Sequence, residues 1–258
     1  MTWSPTQYGK FEAERNRPIR DLLAQLPVAN VARIADLGCG PGNSTELLIE
    51  QFPNATVIGM DNSSDMLTAA RQRLPGIRFE ASDIAAWQDA GPFDLLFANA
   101  ALQWVPSHET LLPFLFQKLA TAGTLAVQIP DNLDEPAHRL MREVAAAGPW
   151  AEKWRAATQD REARHSAEWY YQMLSGLGAR VDVWRTIYHH PLPGGVAAIA
   201  EWFKGSGLRP FLQPLDETEK AEFLTRYIAA LGQEYSELNG GVVLLPFPRL
   251  FFVATRLA

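Results

Sequence analysis

A chain of 258 residues, 47% hydrophobic and 20% charged, can bury one large α/β core with an appended subdomain, and is too short for more than two small domains. Its net charge of −6 offers no basic surplus for a phosphate backbone, so nucleic acid is not an expected partner. The start, Met1-Thr2-Trp3-Ser4-Pro5, lacks a charged-then-apolar leader, no window of about 18 residues is free of charges and turn formers, and one cysteine cannot form an internal disulfide, so a cytoplasmic protein without a membrane partner is expected.

In chain order, residues 18 to 26 read as an amphipathic helix carrying Ile19, Leu22, Leu23 and Leu26, with Pro18 in its tolerant first position and the apolar stripe set against the edge of a sheet. From residue 31 the pattern alternates. Apolar strand candidates at 32–37, 56–60, 77–80, 93–98 and 123–128 are separated by helix-length segments, the pattern of a parallel sheet with right-handed crossovers. Helix starts are marked by Asn43-Ser44 with Glu46 behind them, by Ser63-Ser64 ahead of Met66, Leu67 and Ala70, and by Ser107 ahead of Leu111, Leu112, Leu115 and Leu119. Pro53-Asn54, Pro75-Gly76 and Ala122-Gly123 mark stops. Beyond residue 130 the rhythm changes. Residues 166–177 read as a helix, 180–188 as a strand and 250–255 as a last, buried strand. About sixty residues between those strands carry helical patterns at 196–204 and 217–231, too much chain for a hairpin loop, and read as a helical cap.

The informative loop is Asp36-Leu37-Gly38-Cys39-Gly40-Pro41-Gly42, placed between a strand and a helix start. Glycines at Gly38, Gly40 and Gly42 allow a tight turn and let a ligand lie against bare backbone. Asp61 follows the second strand about twenty residues on, where a doubly wound sheet places an acid to accept ribose hydroxyl protons. Such a loop also serves nicotinamide dehydrogenases. Three features favour a methyltransferase instead. Asp36 precedes the first glycine, where its carboxylate can answer the ammonium of an amino-acid-bearing cofactor. Asp83 and Ile84 follow the third strand, one to accept from an exocyclic amine, the other to lie on a base. No tyrosine is followed four residues later by lysine, the pair many small dehydrogenases use. Cys39 reads as a packing residue and Asp94 as ordering the fourth strand, while Asn99, at that strand's mouth, faces the crevice for a methyl acceptor. Gln103 and Trp104 are candidates for lining the same crevice, the indole equally as a core residue.

The loop, Asp61 with Ser64-Asp65-Met66-Leu67, Ser82-Asp83-Ile84 and Phe93-Asp94-Leu95-Leu96-Phe97-Ala98-Asn99 together resemble a class I S-adenosylmethionine-dependent methyltransferase over about residues 30 to 130. More narrowly, Trp3-Ser4-Pro5 through Tyr8, Arg15-Asn16-Arg17-Pro18, Asn99 through Trp104 and the run from Trp202 to Pro210 are similar to the trans-aconitate 2-methyltransferase family. The resemblance implies a Rossmann-like sheet of seven strands, mostly parallel with the last antiparallel, and a helical cap inserted late. The expected division is an N-terminal arm and helix at 1–30 acting as a lid, a cofactor domain at 31–190 and 248–258, and a cap at 191–247, with 135–165 a candidate addition to it. It also implies methyl transfer from S-adenosylmethionine to a small polycarboxylate, leaving S-adenosylhomocysteine, with no metal. Another small acceptor, an acyl-carrier thioester or a binding protein without turnover are the competing readings.

Expected cofactor residues are Asp36, Gly38, Gly40, Gly42, Asp61, Asn62, Met66, Asp83, Ile84 and Asn99, with Tyr8 and Arg15 reaching the methionine end. A carboxylate acceptor is already ionised at pH 7, so no general base is expected, and Asn99, Gln103 and Trp104 are assigned to positioning. Non-reacting carboxylates need cationic or polar partners, for which Tyr188, His189, His190, Trp202, Lys204, Arg209 and, in the N-terminal arm, Arg15 or Arg17 are the candidates.

Overall fold

Short apolar runs bounded by turn residues become strands in the computed structural model, which describes residues 12–27, 30–158 and 165–257, with only the backbone of 12, 13, 15 and 156–158. The alternating half of the chain runs α1 (Glu12–Ala24), β1 (Arg33–Leu37), α2 (Asn43–Gln51), β2 (Thr56–Asp61), α3 (Ser64–Arg73) and β3 (Arg78–Ala81). It continues with a 3-10 turn (Ile84–Ala86), β4 (Phe93–Asn99), a second 3-10 turn (Leu102–Trp104), α4 (His108–Gln117) and β5 (Leu119–Pro130). Then come α5 (Pro136–Ala147), α6 (Ala151–Thr158), α7 (Ala167–Gly176), β6 (Ala179–Pro193), α8 (Ala197–Lys204), α9 (Arg209–Leu212), α10 (Glu217–Glu234) and β7 (Val242–Arg256).

The seven strands lie in the order β3-β2-β1-β4-β5-β7-β6. β1 pairs in parallel with β2 and β4, β2 with β3, and β4 with β5, while the end of the sheet is antiparallel. Strand order reverses between β1 and β4, which opens a crevice at their carboxyl ends, the place where such sheets bind ligands. Leu95, Leu96, Phe97 and Ala98 of β4 are all fully buried, as expected for a central strand covered on both faces. Leu111 and Leu115 of α4, with Tyr170 and Leu174 of α7, join Leu37, Met60 and Leu125 in one core. Asp94 orders the strands as expected: its Oδ2 accepts from the N–H groups of Ala32 and Arg33 at 2.8 and 2.9 Å, tying β4 to the start of β1.

Three local expectations differ from the structure. α1 begins before Pro18, which therefore sits inside the helix. An interior proline costs roughly 3 kcal/mol, and the helix holds because Ile19, Leu22 and Leu23 are 2, 0 and 8% exposed. That face packs on α2 and on β5, an inner strand, not on a sheet edge. Ala122-Gly123 does not end a helix; α4 stops at Gln117 and the pair lies inside β5, with Ala122 at φ 60°. The pairing of β4 with β5 shifts register there, between Phe93 and Leu95, so the signal marks a strand irregularity. Asn43-Ser44 does not cap α2, whose N-cap is Gly42.

The chain divides into two compact units. The first takes the chain up to Pro130, a segment ending at Thr186 and the chain from Leu250; the second takes the chain from Asp131 as far as Ala163 and Ile187–Arg249. Within the second, a capping box between Asp216 and Glu219 starts α10, which buries Phe223, Tyr227 and Leu231. Tyr227 Oη donates to the Ala137 carbonyl at 3.0 Å, and Tyr235 Oη accepts from the Ala137 N–H at 3.1 Å, so two phenols fix the start of α5.

Candidate active site

The glycine loop is laced onto β2 by backbone bonds. Gly38 and Cys39 N–H both donate to the Met60 carbonyl, at 2.8 and 2.9 Å. Asp61, at the tip of β2, accepts the Gly40 N–H at 3.0 Å on Oδ2 and the Ser63 N–H at 2.8 Å on Oδ1, so one carboxylate bridges the loop and the start of α3. Each oxygen keeps acceptor capacity for a ligand hydroxyl. Gly38 has φ +70°, and a Cβ there would lie 2.4 Å from the Ala101 Cβ, so this position excludes any side chain. Gly40, at φ +55°, faces open space with nothing within 4 Å of a Cβ position. One glycine is required by close packing and the other presents bare backbone.

Asp36 is fully buried, and its Oδ2 accepts from Ser44 Oγ at 2.7 Å and Thr45 Oγ1 at 2.6 Å. Its Oδ1 is buried with no partner. Burial pushes the carboxyl up to about 6, against the lowering by the two hydroxyls. Ser44 therefore serves this carboxylate instead of capping its helix, and α2 starts at Gly42 with no side-chain cap, leaving first-turn N–H groups for another acceptor. Cys39 is 3% exposed, and burial drives its thiol far above the ordinary range, which fits the packing role read for it.

A cleft opens over this loop, lined by Gly38, Gly40, Asn43, Asn99 and, from α1, Asn16 and Ile19. Asn43 Nδ2 donates to Asn16 Oδ1 at 3.3 Å, which ties α1 to the loop. Asn99 Oδ1 is buried and unpaired. Beyond it, Gln103 Nε2 donates to the Ala100 carbonyl at 2.7 Å and leaves Oε1 buried without a partner, while Trp104 is 45% exposed. Asp83 is exposed and its Oδ1 accepts the Ala85 N–H at 2.8 Å, capping the first 3-10 turn. Ile84 is buried in the core, Met66 is buried with its N–H on Ser63 Oγ at 3.4 Å, and Asn62 is exposed. Arg17 is exposed on α1; the Arg15 side chain and Tyr8 lie outside the described residues.

The substrate candidates of the second unit are placed less uniformly. Tyr188 and Trp202 are buried, His189 is exposed, and Arg209 is half-buried at the start of α9. Lys204 pairs with Glu201 on α8. Between Tyr188 and Trp202 lies His190, 4% exposed and stacked on the Trp202 ring at 4.6 Å. Arg249, 5% exposed, holds its guanidinium 4.8 Å from the centre of the Phe247 ring.

An open glycine face, an uncapped helix start, an acid bridging β2 to the loop and an unpaired buried amide oxygen fit a ligand that carries a carboxylate, an ammonium and a ribose. Residues 34–123 match the methyltransferase domain family. The trans-aconitate 2-methyltransferase of Methylobacterium nodulans is 54% identical over 98% of each chain, and that of Variovorax paradoxus 52% identical over the whole of both. The chain belongs to the trans-aconitate 2-methyltransferase family. Its fold is shared by the YcgJ protein of Bacillus subtilis, at TM-score 0.62 and 12% identity over 94% of this chain and 99% of that one. The Haemonchus contortus phosphoethanolamine N-methyltransferase 2, solved with S-adenosylmethionine, aligns at TM-score 0.57 and 14% identity over 94% of this chain and 53% of that one.

For a trans-aconitate 2-methyltransferase family member, the domain match stops at residue 123, before the second unit begins, whereas the named relatives match across both units. Sequence reasoning misses Asn16, Asn43, Ser44 and Thr45: the helix is read only from Pro18, which leaves Asn16 outside it, Asn43-Ser44 reads as a helix start, and Thr45 carries no signal. It also left Arg249 unremarked. A charge within Phe247-Pro248-Arg249-Leu250-Phe251, an otherwise apolar run, was the available signal.

Proposed function

We propose that the protein transfers a methyl group from S-adenosylmethionine to one carboxylate of trans-aconitate, yielding a monomethyl ester and S-adenosylhomocysteine. The observation that carries this reading is the joint placement of the Gly40 face, the uncapped start of α2 and Asn99 Oδ1 around one cleft.

When bound, S-adenosylmethionine supplies an electrophilic methyl group. In this reading Asp61 accepts from the ribose hydroxyls with the capacity left by Gly40 and Ser63, and the first-turn N–H groups of α2 hold the carboxylate. Asn99 Oδ1 accepts from the ammonium, with the buried charge of Asp36 beneath the loop favouring a cation there. Asp83, exposed at the start of the first 3-10 turn, takes the exocyclic amine, beside Ile84. No side chain has to accept a proton, because the attacking carboxylate is ionised at pH 7. The work of the chain is to align the acceptor and strip water from it. The other two carboxylates need cationic partners, for which Arg209, half-buried at the start of α9, is the candidate, while Lys204 is already engaged with Glu201.

Steady-state assay with methyl-labelled S-adenosylmethionine over a panel of polycarboxylates tests this. The expected result is label in trans-aconitate at the highest kcat/KM of the panel, released by mild alkali as an ester requires. Label that survives alkali, or transfer only to a carrier-bound thioester, phenol or amine, would overturn it.

A further inference from the structure

The segment after β4, which carries Gln103, assigned from the sequence to positioning the methyl acceptor, is held in an unfavourable shape. Ala100 sits at φ 52°, a left-handed conformation that costs a non-glycine residue roughly 1 to 2 kcal/mol. Its N–H donates to the Gln128 carbonyl at 2.9 Å, and its own carbonyl takes the Gln103 amide at 2.7 Å. That second bond fixes the orientation of the Gln103 amide, since turning it over would set two oxygens against each other. Gln103 Oε1 and Asn99 Oδ1 thus stand as buried acceptors without partners, on a strained turn. Such a turn persists only where its surroundings over-determine it.

A buried imidazole supplies that constraint. His108, the first residue of α4, is 7% exposed, with Nε2 2.9 Å from the Leu102 carbonyl and Nδ1 2.7 Å from Tyr170 Oη. A carbonyl can only accept, so Nε2 carries the proton and Nδ1 accepts from the tyrosine hydroxyl. Tyr170, on α7, is itself 1% exposed and stacks on Phe252 of β7 at 4.7 Å and 21°. Around the imidazole lie only His165, its ring 5.9 Å away and stacked on Trp169, and Glu109, paired with His165 at 3.2 Å, among the groups described. A continuous path therefore runs from the sheet through Tyr170 and His108 to the backbone of the Leu102–Trp104 turn.

We propose that His108 is a positioning residue for methyl transfer: held by Tyr170, it sets the Leu102–Trp104 turn, and through it Gln103, in the geometry the methyl acceptor needs. The inference rests on the assignment of Gln103 to the acceptor side. It is tested in the full-length protein with His108→Ala, His108→Asn, His108→Gln and Tyr170→Phe, measuring kcat and KM for trans-aconitate, S-adenosylhomocysteine affinity by calorimetry, and Tm. Alanine and asparagine at 108 should lower kcat by about tenfold or more while cofactor-product affinity stays within about twofold, as a small misplacement of reacting groups does. Glutamine, whose amide nitrogen reaches the Leu102 carbonyl from the Nε2 position, should recover kcat to within about threefold, with Tyr170→Phe between the two. Wild-type esterification together with an unimpaired His108→Ala enzyme would overturn the proposal alone. So would glutamine as damaging as alanine with affinity and Tm falling in step, the mark of general destabilisation. A wild type that forms no ester would overturn the functional reading, and this proposal with it.

Discussion

The two units of the chain place their polar groups differently. In the first, the cleft is shaped by backbone: a glycine loop, an uncapped helix start and one carboxylate, Asp61, that holds the loop, with the amides of Asn16, Asn43 and Asn99 around it. In the second, buried polar side chains lie on aromatic surfaces, His190 on Trp202 and Arg249 over Phe247. A backbone-built site tolerates most changes except where a Cβ or a carboxylate shapes the loop, so it leaves a compact record in spacing. A side-chain site depends on rotamers and packing partners far apart in the chain, which spacing does not encode.

The sharpest test of that contrast is Gly38→Ala. Its new Cβ would meet Ala101 at 2.4 Å at φ +70°, and the clash with the unfavourable backbone should together cost about 2 to 5 kcal/mol, read as a lowered Tm and lost S-adenosylhomocysteine binding. Gly40→Ala separates packing from ligand contact. With nothing nearby, it should cost only about 1 to 2 kcal/mol of stability yet weaken cofactor-product binding by at least about tenfold. Unchanged affinity would show that the ligand does not lie against Gly40.

Asp36 makes the next prediction, on pH. Its folded-state pKa of about 6 lies above the 3.8 of the free group, so the unfolded chain loses its proton first. Stability from this group is therefore complete below about pH 4 and lost as pH rises through about 6, a change on the order of 3 kcal/mol. Asp36→Asn should flatten the fall in Tm of the unliganded protein between pH 4 and 7. Parallel curves for wild type and variant would mean that the burial is not felt. Asp61→Ala should weaken S-adenosylhomocysteine binding by about 1 to 3 kcal/mol in calorimetry, through loss of the loop bridge and the ribose acceptor together. Smallest of all, Lys204→Ala should change the KM for trans-aconitate by less than about threefold, because a surface pair with Glu201 is worth about 1 kcal/mol or less. A tenfold rise would place that lysine on the substrate.

Much of the first unit was legible for physical reasons. Apolar strands alternating with helix-length segments gave the order of elements, and the glycine and acid spacing located the loop and Asp61, though not the bridge between them. What the spacing could not carry was tertiary. Pro18 sits inside α1 because a buried face outweighs a local penalty, and Ala122-Gly123 lies inside β5, where the pairing with β4 shifts register. Ser44 looked like a cap and is the ligand of a buried carboxylate. His108, to which the sequence pattern assigns no role, bridges Leu102 to Tyr170, a partner 62 residues away. Asn16 belongs to the cleft only because α1 folds over α2.

The central claim is that a carboxylate oxygen, needing no base from the protein, takes the methyl group. Single turnover with carbon-13 methyl-labelled S-adenosylmethionine and trans-aconitate, followed by NMR, addresses it directly. The account predicts loss of the S-methyl signal with growth of one ester methyl resonance, at a rate that does not depend on pH between about 7 and 9, where no carboxylate titrates. A methyl signal that stays on sulfur, moves to nitrogen or carbon, or transfers at a rate rising tenfold per pH unit would contradict it.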